Sequence, residues 1–211
     1  MHIKRFEVNQ VCENTYLLYD ETHEAALIDC GTSNEAENAQ IQSFIDSNGL
    51  KLKYLLNTHL HFDHALGNHF IYKTYGIKPQ YHAAEENMPG IAKQAIFFGI
   101  PVHYEPVRAE YFLKENDEIH FGNTVLKVLH TPGHSPGSLS YYCAADACVF
   151  TGDALFRHDI GRTDLWGGDE ATLITAIKTR LLTLPPQTKI FAGHGAASTV
   201  AEEIELNPYI R

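Results

Sequence analysis

Apolar and polar residues alternate with a period of two in several short runs of this chain, which is typical of β-strands. In the first half the pattern predicts strands at residues 3–8, 15–19, 25–29 and 53–58. In the second half it predicts strands at residues 118–121, 124–130, 138–143, 147–151 and 189–192. The predicted strands therefore cluster within each half of the chain.

Apolar residues at helical spacing predict helices around these strands, at residues 35–47, 65–75, 83–99, 170–182 and 198–206. Asn34 is suited to cap the first helix, and Pro89-Gly90 interrupts the third. The pattern indicates a layered α/β protein, or α+β by some schemes. No flexible linker or low-complexity tract divides the chain, so we predict a single domain over residues 1–211.

Composition narrows the possible partners. The formal net charge is −10 and Lys and Arg form no dense cluster, which argues against nucleic acid as a ligand. The N-terminus has no secretory apolar region and no stretch approaches the roughly 20 apolar residues of a membrane span. The four cysteines lack C-x-x-C spacing, which favours reduced thiols in the cytoplasm. The alternative is a Cys143–Cys148 bridge in an exported protein.

Candidate metal chemistry concentrates in the segment 59–64, which contains His59, His61, Asp63 and His64 directly after a predicted strand. His59 and His61 can point the same way because strand side chains alternate, and Asp63 and His64 open the next helix. Imidazole and carboxylate ligands suit zinc, iron or manganese, and no thiolate is offered.

Three later residues share a strand-end position after a glycine-containing turn: His134, Asp153 and His194. Gly-His and Gly-Asp dipeptides are common, but their order along the chain makes these three residues candidate ligands. We assign structural or surface roles to the remaining histidines: His2, His23, His69, His82, His103, His120, His130 and His158. Asp29 is a candidate acceptor for a ligand histidine, or a turn-forming residue.

This ordered set, from His-x-His-x-Asp-His to the last Gly-His, resembles the metallo-β-lactamase superfamily. The resemblance implies a four-layer αββα sandwich and two divalent metal ions, with zinc the first choice and iron or manganese as alternatives. The ligands implied for the first metal are His59, His61 and His134. Those implied for the second metal are Asp63, His64 and His194, with Asp153 bridging both ions.

The segment Gly161-Arg162-Thr163-Asp164 is similar to the branch that contains glyoxalase II-like thioester hydrolases and persulfide dioxygenases. This implies a metal-activated hydroxide that attacks a thioester such as S-lactoylglutathione, with Asp63 as the catalytic proton acceptor. Arg162 matches a basic residue that holds the glutathione carboxylate, or else pairs with Asp164.

Two departures leave glutathione recognition open. The chain ends soon after His194, where long glyoxalase II enzymes carry an additional helical region, and Gly195-Ala196 replaces the Glu-Tyr that often follows the last Gly-His. The resemblance is closer to compact bacterial glyoxalase II-like hydrolases. We expect a small-molecule thioester substrate, no nucleic acid, no membrane, and a monomer or homodimer.

Other reactions stay open. A persulfide dioxygenase would use one iron held by His59, His134 and Asp153, and a lactone or β-lactam hydrolase would use the same metals with another pocket. Diiron electron-transfer relatives usually have Glu where this chain has His61, which disfavours a redox module. The segment Ile96-Phe97-Phe98 can line a pocket, but core packing is the expected role.

Overall fold

The computed structural model describes residues 1–100, 102, 104–109 and 111–210. These residues form two compact units. The first unit comprises Met1–Tyr81, Pro89–Phe112 and His120–Thr124. The second unit comprises His82–Met88, Leu113–Ile119 and the chain from Val125 onward. The single domain predicted for residues 1–211 stays a prediction.

The first sheet contains strands β1 to β5 in chain order. They are β1 His2–Val8, β2 Glu13–Tyr19, β3 Glu24–Ile28, β4 Lys51–Leu56 and β5 Pro79–Gln80. Strands β1, β2 and β3 pair antiparallel, whereas β3, β4 and β5 pair parallel. Because β3 and β4 run in the same direction, the residues that follow them emerge at the same edge of the sheet. This edge carries both Asp29 and the segment 57–64, and the amide of Asp29 donates to the carbonyl of Leu56 at 2.8 Å.

Four helices of the first unit follow from local sequence: α1 Glu35–Ser47, α2 Phe62–Ala65, α3 Asn68–Tyr75 and α4 Ile91–Phe97. Asn34 caps α1 as predicted, because its side chain accepts from the amide of Glu37. The single helix predicted for 65–75 is wrong, since the chain turns between α2 and α3. Gly67 donates to the Cys30 carbonyl there, and a Cβ on Gly67 would lie 2.2 Å from Thr32 Oγ1.

The second sheet has the strand order β13-β12-β9-β8-β7-β6. Its strands are β6 Glu118–Phe121, β7 Thr124–His130, β8 Leu139–Cys143, β9 Cys148–Gly152, β12 Lys189–Ala192 and β13 Ser198–Thr199. Strands β9 and β12 pair parallel, so the residues that follow them share one edge. A separate hairpin joins β10 Leu155–Phe156 and β11 Asp159–Ile160. Strands β10 and β11 were not predicted, because a strand of two residues is too short to show a sequence pattern.

Helices of the second unit largely match prediction. A 3₁₀ helix spans Ala83–Asn87, and α5 spans Glu170–Ala176 before the chain continues as a π-helical turn at Ile177–Leu181. The last helix, α6, spans Val200–Leu206. The predicted start of this helix at residue 198 is wrong. Ser198 instead pairs with Ile190 in the sheet, and Thr199 caps α6 through its hydroxyl.

Each unit has its own apolar core. The first core contains Phe6, Val8, Leu17, Ala25, Leu27, Cys30, Ile41, Ile45, Leu52, Leu55 and Ile71. The second contains Leu129, Val149, Ala154, Leu155, Ile160, Leu173, Ile177, Leu181, Ile190, Val200 and Ile210. The expectation that the segment 96–98 packs in the core is wrong, because Ile96 and Phe97 are 66% and 67% exposed.

Two further features bear on the predictions. Cys12, Cys30, Cys143 and Cys148 are free thiols, so the structure contains no bridge between Cys143 and Cys148. Within the part of the chain that the structure describes, no helix has both the length and the apolar character needed to cross a bilayer.

Candidate metal centre

The predicted ligands of the first unit lie together at the end of β4 and the start of α2. The ring centroid of His59 is 4.7 Å from that of His61 and 4.2 Å from that of His64. Asp63 Oδ2 lies 3.6 Å from His64 Nε2. All four side chains are buried, His59 and His64 completely. The folding of this one segment therefore gathers three imidazoles and a carboxylate.

The separation of Asp63 and His64 fits joint metal binding. A distance of 3.6 Å exceeds the 2.7–3.2 Å range of an ordinary N–H···O hydrogen bond. Two atoms that hold one zinc ion at about 2.0–2.2 Å in tetrahedral geometry lie roughly 3.4 Å apart. The donor chemistry and the spacing of these two residues therefore both suit a divalent metal.

Asp29 organises the segment that follows β4. Its Oδ1 accepts from the Thr58 amide at 2.7 Å, and its Oδ2 accepts from the Thr58 hydroxyl at 2.7 Å. The same Oδ2 lies 3.1 Å from Nδ1 of His64. The predicted contact between Asp29 and one of these histidines is confirmed. Because a carboxylate can only accept, Nδ1 of His64 carries the proton and Nε2 keeps its lone pair.

His59 is oriented through the same network. Its Nδ1 lies 2.9 Å from the Thr58 hydroxyl oxygen. Since that hydroxyl donates to Asp29, its oxygen accepts from Nδ1–H of His59. Nε2 is therefore the basic nitrogen of both His59 and His64, which is the state that a metal-binding imidazole needs.

Glu13 is a third buried carboxylate beside His64, after Asp29 and Asp63, and the sequence did not reveal it. Its Oε1 lies 3.9 Å from His64 Nδ1, and its Oε2 accepts from the Thr15 hydroxyl at 2.7 Å. Oxygens of Glu13 and Asp29 and a nitrogen of His64 all lie within 4.8 Å of one another. Burial raises the pKa of Glu13 well above its ordinary value, against the attraction of His64. A glutamate at the start of a strand gives no signal of such a contact.

The backbone of Asp63 is held from outside the motif. The side-chain nitrogen Nδ2 of Asn9 donates to the carbonyl of Asp63 at 2.9 Å and to that of Gly31 at 3.0 Å. A Cβ on Gly31 would lie 2.0 Å from the Asp63 carbonyl oxygen, so only glycine permits this approach. The position of Asp63 therefore depends on two residues distant in sequence.

The second unit brings together the three later candidates. Nε2 of His134 lies 3.6 Å from Oδ2 of Asp153, and Nε2 of His194 lies 3.7 Å from the same oxygen. Both distances are too long for hydrogen bonds and close to the separation of two ligands on one metal. Asp153 follows β9 and His194 follows β12, so the parallel pairing of these strands explains their proximity.

His134 is fixed by the turn that follows β11. Its Nδ1 donates to the Arg162 carbonyl at 2.8 Å. A Cβ on Gly161 would lie 1.8 Å from the Asp153 carbonyl oxygen and 3.0 Å from His134 Nδ1. Glycine at position 161 therefore allows this turn to pass closely between the two candidate ligands.

A buried glutamate, also missed in the sequence, supports the loop after His134. Glu85 Oε1 accepts from the Ser135 hydroxyl and from the Gly137 amide, each at 2.7 Å. Glu85 is 2% exposed and belongs to the 3₁₀ helix. Its position within a surface-like Glu-Glu pair gave no indication of burial.

Arg162 forms an ion pair with Asp164, as the alternative interpretation expected. Its Nε and Nη2 donate to the two carboxylate oxygens of Asp164 at 2.7 and 2.8 Å. Arg162 holds the pKa of Asp164 at about 2 by these hydrogen bonds. Both side chains are exposed, and the substrate-binding role of Arg162 stays a prediction.

The remaining histidines have contacts that suit structural roles. His82 stacks on His130 at 4.4 Å, and burial followed by the charge of His130 lowers the pKa of His82. His158 Nε2 lies 2.9 Å from a carboxylate oxygen of Glu202. His103, to which the sequence also assigned a structural role, lies outside the described residues.

Comparison with known proteins decides the family. The model of the metallo-beta-lactamase superfamily matches residues 11–194. The chain belongs to this superfamily. Two relatives are 35% identical over 100% of this chain and 98% of their own length: the probable metallo-hydrolase YqgX of Bacillus subtilis and the hydroxyacylglutathione hydrolase GloC of Haemophilus influenzae. The mitochondrial persulfide dioxygenase ETHE1 of Bos taurus is 32% identical over 93% of this chain and 71% of its own length.

Similar solved structures support the same family assignment. The BLEG-1 B3 metallo-beta-lactamase has a TM-score of 0.89 and 32% identity, covering 99% of each chain. TTHA1623, solved in a di-iron-bound form, has a TM-score of 0.87 and 32% identity, covering 98% of this chain and 99% of its own. The predicted α/β metallo-β-lactamase fold is confirmed, as is membership of a superfamily of metal-dependent hydrolases.

Proposed function

We propose that the protein is a dinuclear metallohydrolase that cleaves thioesters such as S-lactoylglutathione. The observation that carries the proposal is the similarity to hydroxyacylglutathione hydrolase GloC, which extends over the whole chain at 35% identity. In this reaction the thioester C–S bond breaks, a C–O bond forms to water, and the products are a carboxylate and a thiol.

The proposed ligands are the seven residues that the sequence identified. His59, His61 and His134 would hold one metal, Asp63, His64 and His194 would hold the other, and Asp153 would be a ligand of both. Support comes from the donor spacings of 3.6–3.7 Å within each unit and from the protonated Nδ1 atoms, which leave Nε2 to bind metal. Zinc suits this nitrogen and oxygen set, and the di-iron form of TTHA1623 supports iron as an alternative.

When bound, two such cations would supply Lewis acidity and would lower the pKa of a bound water toward neutrality. Asp63 would hold the proton of the attacking water at a carboxylate oxygen, because a carboxylate has two oxygens that can accept. The Asn9 hydrogen bond holds its backbone for this task. The proton then passes to the departing thiolate, which needs little assistance because thiols ionise near pH 8.5.

Arg162 is the proposed contact for an anionic end of the substrate. Its guanidinium is exposed and lies in the same turn as the carbonyl that accepts from His134. The bidentate pair with Asp164 fixes the direction of the guanidinium and leaves donors on its other edge. The turn therefore couples a candidate ligand to a candidate substrate contact.

Persulfide dioxygenation is the second candidate, supported by the 32% identity to ETHE1 and by the resemblance of the segment 161–164 to the branch that contains persulfide dioxygenases. It would need one iron held by His59, His134 and Asp153. Hydrolysis of lactones or β-lactams is a third candidate, supported by the structural similarity to the BLEG-1 enzyme. GloC matches this chain over more of its own length than ETHE1 does, which favours the thioesterase.

The deciding experiment is the steady-state rate of S-lactoylglutathione cleavage by metal-loaded protein, with a chelator-treated control and the bound metal counted. A chelator-sensitive kcat/KM above about 10⁴ M⁻¹s⁻¹ is expected for a true substrate. A negligible rate at full metal content would refute S-lactoylglutathione as the substrate, and the absence of cleavage of any thioester would refute the thioesterase. Oxygen consumption with glutathione persulfide by the iron-loaded protein would then identify a dioxygenase.

Composition and the cysteines bear on the location and the substrate class of the protein. The four free thiols support a cytoplasmic enzyme, because cysteines persist as thiols in a reducing compartment. Its acidic charge supports a small-molecule substrate in place of nucleic acid. A monomer or a homodimer would serve this activity.

A further inference from the structure

Three consecutive apolar side chains project at the end of α4: Ile96, Phe97 and Phe98, here called the apolar rim. They are 66%, 67% and 39% exposed. The rings of Phe97 and Phe98 lie 5.2 Å apart, edge to face. Contiguous exposed apolar groups of this kind commonly mark a binding surface.

The rim is tied to the candidate ligand segment by Gln94. This side chain is 1% exposed, although it is polar. Its Oε1 accepts from the Phe62 amide at 3.2 Å, and its Nε2 donates to the carbonyl of Leu60 at 2.9 Å. Gln94 therefore bonds to the backbone on both sides of His61, and it lies two residues before the rim.

Aromatic packing connects the two features further. The ring of Phe98 lies 5.5 Å from that of Phe62. In the sequence, Phe62 lies between the candidate ligands His61 and Asp63. Phe62 is buried and packs with Ala65, Ile91 and Ala95 in a small core of its own. The rim is thus attached to the ligand segment through Gln94 and Phe62.

The exposed area of the rim indicates what kind of ligand it can bind. A large aromatic side chain has about 150–250 Å² of surface and isoleucine has less, so two phenylalanines and one isoleucine at these exposures present roughly 300 Å². A stable protein interface needs about 800 Å² from each partner. The rim is too small for a second copy of the chain by itself, and it suits the apolar part of a small ligand.

We infer that the apolar rim binds the apolar acyl group of the substrate, so that the enzyme prefers thioesters of aliphatic or aromatic acids over the polar S-lactoyl ester. This inference rests on the proposed thioesterase function. The acyl group is attached to the carbon that water attacks, so it must lie beside the ligand segment, where the rim is anchored. Burial of each methylene there improves transition-state binding by up to about fourfold.

The test is kcat/KM for a series of S-acylglutathiones, from lactoyl through butanoyl and hexanoyl to benzoyl. A second arm uses acetyl esters of glutathione and of an apolar alkanethiol, which distinguishes recognition of the acyl group from recognition of the thiol carrier. We expect at least a tenfold rise from lactoyl to hexanoyl, and no comparable gain from the apolar thiol. The Phe97→Ser variant should reduce the hexanoyl-to-lactoyl ratio toward one.

Tyr209→Ser is the matched control, because Tyr209 is also aromatic and half exposed but belongs to the second unit. This variant should keep the full acyl selectivity. A flat series with normal S-lactoylglutathione cleavage would overturn the role of the rim and leave the thioesterase standing, whereas no cleavage of any ester would remove both. A wild-type dimer that Phe97→Ser dissociates would also overturn the inference, because a second copy would then occupy the rim.

Discussion

Nδ1 of His64 lies 3.1 Å from Oδ2 of Asp29, and this contact joins the residue after β3 to helix α2. Thr58 brings His59 into the same network through its hydroxyl. One buried carboxylate therefore sets the ring orientation and the proton position of two candidate metal ligands. This pre-organisation is a property of the protein itself and can be tested by metal affinity.

Replacing Asp29 with Asn should weaken zinc binding by about 10- to 100-fold. An amide has one accepting oxygen where the carboxylate has two, so its NH2 group would face either the Thr58 amide or the side shared by His64 and the Thr58 hydroxyl. The measurement is a competition titration against a chromophoric chelator, with folding checked by circular dichroism. Asp20→Asn is the control, since Asp20 is also buried but its contacts are Thr22, Asn123 and Thr124. Equal zinc affinity in Asp29→Asn and wild type would contradict the proposed role.

Sequence patterns predicted most of the architecture because the strands and longer helices have clear periodicity. The candidate ligands were also identified in the sequence, since segment 59–64 is a dense His and Asp cluster and each of His134, Asp153 and His194 directly follows a glycine. The supports of this segment were missed. Glu13 and Asn9 reach it from positions far away in the chain, and only the fold defines such contacts.

The errors have local causes. Helix 65–75 breaks because Gly67 packs against Cys30 and Thr32, a contact that helical periodicity cannot register. Ile96 and Phe97 were assigned to the core because apolar residues are usually buried, and their exposure is what makes them informative. Both of these differences between prediction and structure lie in elements that contact the segment 59–64 or directly follow it.

Replacing Asp63 with Ala should lower turnover by at least about 10²-fold, the usual contribution of a positioned proton acceptor. The fold should persist, because Asn9 holds the Asp63 backbone through its carbonyl. The measurement is the steady-state rate at saturating metal, together with the metal content. Asp46→Ala, at an exposed position on α1, should have the wild-type rate. A near-normal rate in Asp63→Ala would exclude the proposed role.

The lowered pKa of Asp20 makes part of the free energy of unfolding depend on pH. Burial opposes ionisation, but hydrogen bonds from Thr22, Asn123 and Thr124 outweigh it and lower the pKa of Asp20 below its ordinary value. A lowered folded-state pKa stabilises the protein above the unfolded value of about 3.9, and this contribution is lost as the pH falls through the folded value. Asp20→Asn should therefore lower the free energy of unfolding by about 1–3 kcal/mol at pH 7. The amide has one accepting oxygen in place of two, so some of these donors lose their acceptor.

The measurement for Asp20 is urea unfolding of metal-free protein at pH 7, 5 and 3. The difference in unfolding free energy between wild type and Asp20→Asn should be similar at pH 7 and 5 and smaller at pH 3. Asp46→Asn should show little difference at any of these values. A gap for Asp20→Asn that is constant down to pH 3 would rule out a contribution from the carboxylate charge.

Replacing Arg162 with Ala should raise KM for an anionic thioester and change kcat little, because a contact made equally in the ground and transition states affects binding alone. Arg157→Ala is a closely matched control. Arg157 is 51% exposed against 53% for Arg162, and it also pairs with a carboxylate, that of Glu202 at 2.9 Å. Steady-state kinetics with S-lactoylglutathione and with an uncharged thioester separate the two effects. If KM for the anionic ester stays at the wild-type value in Arg162→Ala, the ion pair with Asp164 serves only to shape the turn.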